Sequence, residues 1–426
     1  MFRKSTLNNG LRVVTKKLNG TASVTMLVLA GAGSRYENEG LRGISHFLEH
    51  MFFKGAKRFK NTKEVSEAID SVGGEFNAFT GKEYAGYYVK VAGESFEVAA
   101  DVLSDMLLNS TFKAEEIDKE RGVILEEYNM YQDTPMYQIG WDFERLVFGD
   151  QPLGWDQIGT KQVISSVKHN DFVKYKEKLY TPDNIVVAVA GNVSHEKVLK
   201  MVKKYFVMKK EKRKCDFAPF KNVGGVRGGV DGRISLKEKK TEQAHIAVGF
   251  PGYKETHKDH FALKVLSVIL GGNMSSRMFL NVREAKGLAY YIHTSTDNYM
   301  DAGAIVTNAG VDLKRVDEAI KGIIEEYRKV RDLNVPVKEL AKAKSYLKGK
   351  MFLGLEDSEE YAHLLAKYEL LHGEVMLPAE ILKMVEKVSV ADLRRVAKDL
   401  FKPELMKIAL IGPFGDKKRF EGMMKF

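Results

Sequence analysis

The chain has 426 residues, a length typical of two to four domains, and its 44% hydrophobic content is typical of a globular protein with sizeable cores. Its single cysteine, Cys215, excludes an internal disulfide framework and favours a reducing compartment. No run approaches the ~18 apolar residues that span a membrane, and the basic start lacks the apolar core of a secretory signal. We therefore predict a cytoplasmic protein without a membrane partner.

The net charge of +10 raises the question of nucleic-acid binding. Lys and Arg are scattered among 57 acidic residues, however, and the one dense run, KKEKRK at 209–214, has no aromatic residues beside it for stacking on bases. This distribution is typical of a solvated surface, so we predict no nucleic-acid partner.

Strands and helices alternate along the first half of the chain. An alternating apolar pattern predicts strands at 22–31 and 83–93. Helices are predicted at 42–54, 61–72, 95–109 and 113–132. Because the links between strands are short, we expect an α+β fold with a mainly antiparallel sheet and its helices on one face.

The predicted helix 42–54 carries two histidines and a glutamate in an otherwise apolar stretch. At about 100° per residue, His46, Glu49 and His50 share one face. Two histidines four residues apart can bind one tetrahedral metal ion. The alternative is a pair of ordinary, partly buried histidines. The full H-x-x-E-H pattern favours the metal, because it reverses the H-E-x-x-H zinc helix and is the inverzincin signature.

A catalytic zinc ion needs three protein ligands and one open position. On the last predicted helix of this half, Glu120 and Glu127 lie within about 20° of each other, whereas Glu126 points about 100° away. Their face also carries Val123 and borders Ile124, so a carboxylate there needs a cation or strong hydrogen bonds. We predict that Glu127 is the third ligand, and that Glu120 either orients a ligand histidine or holds the charge of the site.

The second half of the chain repeats the first. Segments 167–191 and 388–412 share Val, Asp, Leu, Pro and Gly at a constant offset, and 85–93 similarly matches 302–310. We therefore predict a tandem of two similar halves.

The join between these halves is predicted within 208–232, where charge, proline and glycine cluster. We assign 1–212 to a catalytic zinc-binding half and 213–426 to a half without a metal site.

These motifs resemble the family of pitrilysin, insulin-degrading enzyme and mitochondrial processing peptidase, in its short bacterial branch. His46-x-x-Glu49-His50 and Glu127 within ERGVILEE carry the resemblance. It extends over nearly the whole chain, through GGEFNAFTGKEYAGYYV (73–89), PLGWDQIGT (152–160), YTPDNIVVAVAGNV (180–193) and GGNMSSRMFLNVREAKGLAYYI (271–292).

The resemblance implies that His46, His50 and Glu127 bind one zinc ion per chain. It implies that Glu49 is the general base of a metalloendopeptidase, which takes a proton from the attacking water.

The resemblance further implies that Arg283 and Tyr290, in REAKGLAY, stabilise the oxyanion. The alternative for this pair is a helix C-terminus with a Lys-Gly cap, followed by a strand tyrosine.

A further implication concerns the substrate. Asn77, Ala78, Phe79 and Thr80 resemble the family's edge strand beside the zinc, to which an extended peptide adds as another strand. A plain hairpin end is the alternative, because Asn and Gly are common in turns.

The corresponding positions of the second half do not form a metal site. His260 matches the first histidine, but Leu263, Lys264 and Tyr346 stand at the positions of the base and the other two ligands. One metal site per chain is expected.

The family resemblance also implies an enclosed chamber in which a catalytic half faces an Arg–Tyr half of another chain. Because this chain carries both sets of residues, we predict a homodimer that completes its active sites in trans and hydrolyses unfolded peptides. A non-catalytic scaffold is disfavoured by the complete ligand set. The catalytic subunit of a heterodimer is disfavoured by the presence of both Arg283 and Tyr290.

Overall fold

A computed structural model describes residues 2–217, 219–221 and 232–425, so residues 222–231 of the predicted join lie outside the described part. Two compact units are present, and each contains segments from both halves of the sequence. The first unit comprises 1–128, 156–218 and 351–377, and the second comprises 129–155, 219–350 and 378–426.

The first unit is built on a six-stranded sheet. Its strands are β1 Arg3–Thr6, β2 Arg12–Lys17, β3 Ser23–Ala30, β4 Glu75–Thr80, β5 Ala85–Ala92 and β6 Ile185–Gly191. Their order is β1-β2-β6-β3-β5-β4, and every pair is antiparallel except β2 with β6. The mainly antiparallel sheet predicted from the sequence is confirmed, and β4 lies at its edge.

The second unit repeats this sheet. Its strands are β7 Ile234–Glu238, β8 Gln243–Pro251, β9 Ala289–Asn298, β10 Gly303–Asp312 and β11 Lys407–Gly412. Their order, β7-β11-β8-β10-β9, reproduces that of the first sheet from β2 to β4, including the one parallel pair, β7 with β11. The predicted similarity of the two halves is therefore confirmed.

Helices surround both sheets. Those encoded before the join are α1 Ile44–Phe52, α2 Thr62–Asp70, α3 Phe96–Asn109, α4 Ala114–Asp133, α5 Pro135–Phe148, α6 Lys161–Ser166, α7 His169–Leu179 and α8 His195–Tyr205. Those encoded after it are α9 His260–Gly271, α10 Val316–Asp332, α11 Val337–Gly354, α12 Ser358–His372, α13 Pro378–Lys387, α14 Val390–Leu400 and α15 Lys417–Glu421. The four helices predicted in the first half agree with α1 to α4 within a few residues.

The expectation that helices cover one face of each sheet was wrong. Alternate residues of a strand point to opposite faces, and both sets of β3 are buried, with α3 packing against β3 and β5. In the first sheet, Leu27 and Leu29 of β3 pack against Leu365 of α12, which is encoded in the second half. In the second sheet, Ala409 of β11 packs in one cluster with Phe143 of α5, which is encoded in the first half. The two halves therefore exchange one helix each, and that helix covers a sheet face.

None of the helices in the described ranges is both long enough and apolar enough to cross a membrane. The cytoplasmic location stays a prediction.

Candidate active site

The helix with the two histidines begins at a fixed backbone turn. Gly43 has a φ of 93°, and a Cβ there would lie 2.4 Å from the carbonyl oxygen of Ile158, so only glycine fits. The first helical N–H groups lack partners within the helix. The backbone N–H groups of Gly43 and Ser45 donate to the buried carboxylate of Glu37 at 2.8 and 2.9 Å. Burial nevertheless raises the pKa of Glu37 to about 7. This turn sets the position of α1.

The three predicted ligands come together. One ligand atom from each of His46, His50 and Glu127 lies within 4.8 Å of the others. The Nε2 atoms of His46 and His50 are each 3.6 Å from an oxygen of Glu127. These distances are too long for hydrogen bonds. They are close to the ~3.3 Å that separates ligand atoms around a tetrahedral ion with bonds of about 2.0–2.1 Å. The donor set therefore fits one zinc ion.

Glu120 lies in contact with the second histidine and with a lysine. Its carboxylate lies 2.8 Å from Nδ1 of His50, and its other oxygen lies 2.5 Å from Nζ of Lys54. Burial alone would raise the pKa of Glu120, which is only 5% exposed, but the hydrogen bonds from His50 and Lys54 lower it. An ionised Glu120 holds the proton of His50 on Nδ1, so that Nε2 faces Glu127.

His46 is held differently. Burial, together with the nearby His50, lowers the pKa of His46 to about 3, so its imidazole is neutral, as a metal ligand must be. Its Nδ1 is buried and makes no hydrogen bond within the described residues. Packing in the helix therefore places His46 without the carboxylate partner that metal-bound histidines usually have.

Glu49 lies on the same helix, outside the ligand group. The hydroxyl of Thr80 donates to Oε2 of Glu49 at 2.5 Å. Burial raises the pKa of Glu49, and the bond from Thr80 opposes this rise. The base predicted from the resemblance is therefore held by a hydroxyl on the neighbouring strand.

The predicted substrate strand is a true edge strand. β4 pairs with β5 on one side and with no other strand of the described chain. The backbone N–H of Ala78 donates to the side-chain oxygen of Asn77 at 2.9 Å, which indicates that this donor points away from β5. Phe79 packs against His363 of α12, with 5.4 Å between ring centroids. Binding of a peptide at this edge stays a prediction.

Arg283 and Tyr290 lie in the second unit. Arg283 belongs to a π-helical turn, Phe279–Glu284, and its guanidinium lies 4.5 Å from the ring centre of Phe279. The backbone N–H of Gly287 donates to the carbonyl of Arg283 at 2.8 Å, so the Lys-Gly cap of the alternative interpretation is present as well.

Tyr290 is displayed by a β-bulge. Tyr291 pairs with Gly310, but the next partner of β10, Val311, pairs with Ala289, which leaves Tyr290 as the extra residue. Its side chain is 75% exposed. Bulges often re-aim a side chain beside an active site. A catalytic role for Arg283 and Tyr290 stays a prediction.

The second unit has different partners at the corresponding positions. Glu339, which lies at the same offset from Glu120 as Tyr346 does from Glu127, forms two hydrogen bonds with Arg277 at 2.9 and 2.7 Å. Tyr346 donates its hydroxyl to the carbonyl of Gly272 at 3.2 Å. Across residues 2–217, 219–221 and 232–425, His46, His50 and Glu127 form the only cluster of three or more potential ligands.

Two residues of this site were missed from the sequence. Glu37 belongs to no recognisable motif, and it contacts the start of α1 through the backbone N–H groups of Gly43 and Ser45. Lys54 follows His50 by four residues, and that spacing was the available signal for a cation near the site.

Known families match both halves. The family described as Insulinase (Peptidase family M16) matches residues 12–146, and the Peptidase M16 inactive domain matches residues 166–347. An uncharacterized zinc protease of Streptomyces coelicolor is 38% identical over 98% of this chain and 90% of its own length. The chain belongs to peptidase family M16.

Other M16 relatives support this assignment. An uncharacterized zinc protease of Bacillus subtilis is 36% identical, covering 98% of this chain and 99% of its own. The crystal structure of a protease from Helicobacter pylori matches with a TM-score of 0.91 and 27% identity over 97% of this chain and 99% of that one. An M16 inactive-domain structure from Pseudomonas fluorescens, at 15% identity and a TM-score of 0.87 over 97% and 98% of the two chains, shows the same fold. This member of the M16 family is therefore a zinc metallopeptidase.

Proposed function

We propose that the chain is a zinc-dependent endopeptidase that hydrolyses unfolded peptides, with Glu49 as its general base. The observation that carries this proposal is the meeting of His46, His50 and Glu127 within 4.8 Å, with Glu49 on the same helix as both histidines. The zinc proteases among the relatives agree with it.

The roles of the side chains follow from their positions. His46, His50 and Glu127 would hold the zinc ion, one per chain. When bound, zinc polarises the scissile carbonyl and acidifies the attacking water. Glu49 takes the proton from this water at its carboxylate and returns it to the leaving amine.

The open edge of β4 supports the choice of substrate. An extended peptide can add to this edge through main-chain hydrogen bonds, which give affinity with little sequence preference. Folded proteins rarely present such a segment, so we expect an unfolded peptide to be cleaved much faster than a folded globular protein. Equal rates on the two would contradict this assignment of substrate.

The decisive experiment is peptide hydrolysis by the purified chain, with and without a chelator. We expect about one zinc per chain and chelator-sensitive cleavage. Glu49→Gln should keep its zinc and lose roughly 100-fold or more in kcat, because it lacks the base. Glu127→Gln should lose zinc as well as activity. Glu126→Gln, on the exposed side of the same helix, is the matched control and should resemble the wild type. If the purified chain held no zinc and cleaved no peptide, the result would instead support the alternative of a non-catalytic scaffold.

The active site is proposed to be completed by a second copy of the chain. The zinc ligands belong to the first unit and the Arg283–Tyr290 pair to the second, so one kind of chain supplies both sets. Mixing Glu49→Gln chains with Arg283→Ala chains should then restore activity. In a mixed dimer, one site combines Glu49 of one chain with Arg283 of the other. No activity above that of either variant alone would rule out complementation in trans.

A further inference from the structure

Thr80 joins the edge strand to Glu49. It is the last residue of β4, and its hydroxyl lies 2.5 Å from a carboxylate oxygen of Glu49. Phe76, four residues earlier on β4, points to the same face of the sheet and packs against Phe53 at the end of α1, with 5.7 Å between ring centroids. The face that carries Thr80 is therefore the face that packs on the zinc helix.

The end of the strand is also held on its opposite face. The ring of Phe79 packs against Tyr84 and against His363 of α12, with centroid distances of 6.3 and 5.4 Å. Gly86, the partner of Phe79 on β5, leaves room for this ring, because a Cβ there would lie 2.2 Å from it. With contacts on both faces, the backbone at Thr80 has little freedom to shift.

The carboxylate of Glu49 needs such a fixed donor. A glutamate side chain rotates about several bonds, and Glu127 nearby repels its negative charge. A hydroxyl bonded to an ionised carboxylate makes a hydrogen bond about twice as strong as one between neutral groups. Of the described residues, Thr80 supplies the one side-chain hydrogen bond that the structure gives Glu49.

We propose that Thr80 is a positioning residue whose hydroxyl holds the Glu49 carboxylate in the orientation that accepts a proton. Because Thr80 also ends the strand offered to the peptide, it ties the position of the base to the strand that carries the substrate. This inference rests on the proposed roles of Glu49 and β4.

Three variants test this role in the zinc-loaded chain. Thr80→Val keeps the shape of the side chain without the hydroxyl, and kcat should fall about 10–100-fold, as a misplaced catalytic group does, with KM within about twofold. Thr80→Ser keeps the hydroxyl, and its activity should be within about threefold of that of the wild type. Thr256→Val is the control, because Thr256 is exposed and its side chain makes no hydrogen bond in the described chain.

Two measurements do not depend on turnover. Thr80→Val should bind zinc as tightly as the wild type in competition with a chromogenic chelator. In a Glu49→Gln background, it should leave the affinity for a fluorescent unfolded peptide unchanged within about twofold, as expected if the hydroxyl acts on the base alone. Weakened zinc or peptide binding would overturn the inference, and so would full activity of Thr80→Val. The proposed function fails separately, if zinc-loaded Glu49→Gln remains active.

Discussion

The contact series Lys54–Glu120–His50 determines which nitrogen of His50 faces Glu127. Lys54 and His50 contact opposite oxygens of one carboxylate at 2.5 and 2.8 Å. The charge of Lys54 favours an ionised Glu120, and an ionised Glu120 keeps the proton of His50 on Nδ1. The metal affinity of the ligands should therefore depend on a residue that does not bind the ion.

We expect Glu120→Gln to weaken zinc binding about 10–100-fold, because an amide cannot hold the imidazole as a charged acceptor does. Titration with zinc in the presence of a chromogenic chelator measures the change. The matched control is Glu126→Gln, whose side chain lies on the exposed surface of the same helix. Equal zinc affinities in all three proteins would contradict this role of Glu120.

Helical periodicity predicted which carboxylates of α4 face the two histidines, but it did not predict how exposed each residue of that face is. Glu120 and Glu127 face the histidines as expected, because seven residues complete nearly two helical turns. Val123, expected on the same apolar face, is 53% exposed. The contacts of Glu37 and Thr80 could not be predicted, since each joins elements that only the tertiary fold brings together.

At the scale of elements, α12 is fixed to the first sheet by polar as well as apolar contacts. The hydroxyl groups of Ser358 and Thr25 lie 2.7 Å apart, and Lys90 lies 3.0 Å from Asp357. The half-buried His363 packs on Phe79, beside the site. The helix therefore contributes to the position of the edge strand.

This packing predicts a loss of stability in acid. Burial, assisted by the charge of Lys367, lowers the pKa of His363 to about 4, below its ordinary value of 6.5. Its contribution to the free energy of unfolding is thus present above pH 6.5 and is lost as the pH falls towards 4. Between pH 7 and 4.5, the free energy of unfolding should fall by roughly 2 kcal/mol less in His363→Gln than in the wild type. Urea unfolding at these two pH values measures the difference.

The control for this experiment is the wild type, unfolded in urea at the same two pH values as His363→Gln. All other titratable groups are the same in both proteins, so the difference between the two curves reports on His363. Parallel curves would show that protonation of His363 does not oppose folding.

The helices predicted in the first half followed from the sequence, but the packing partners of the elements did not. The predicted bounds of α1 to α4 agree with the structure within a few residues. The apolar face of α12, which includes Ala362 and Leu365, indicates only that this helix packs against another element. Which sheet covers it depends on chain topology, which no local pattern encodes.

At the scale of the whole molecule, the exchange of α5 and α12 should make the two halves interdependent. Without α12, a chain of residues 1–212 leaves Leu27, Leu29 and Val186 of its sheet uncovered. We expect this fragment and the fragment 213–426 each to be insoluble when expressed alone, because large exposed apolar patches promote aggregation. Expressed together, they should co-purify and bind zinc.

The intact chain, expressed in the same host, is the control for this experiment. A soluble 1–212 fragment that unfolds cooperatively on its own would show that its sheet needs no helix from the other half.

During synthesis on the ribosome, the exchange of helices delays the covering of the first sheet. The last strand of the first sheet ends at Gly191 and α12 ends at His372, so 372 − 191 = 181 further residues must be translated before that sheet is covered. At a translation rate of about 5–20 residues per second, one apolar face of the nascent sheet stays exposed for roughly 10–35 seconds. During that interval, a holding chaperone would have a target on the half that carries the zinc ligands.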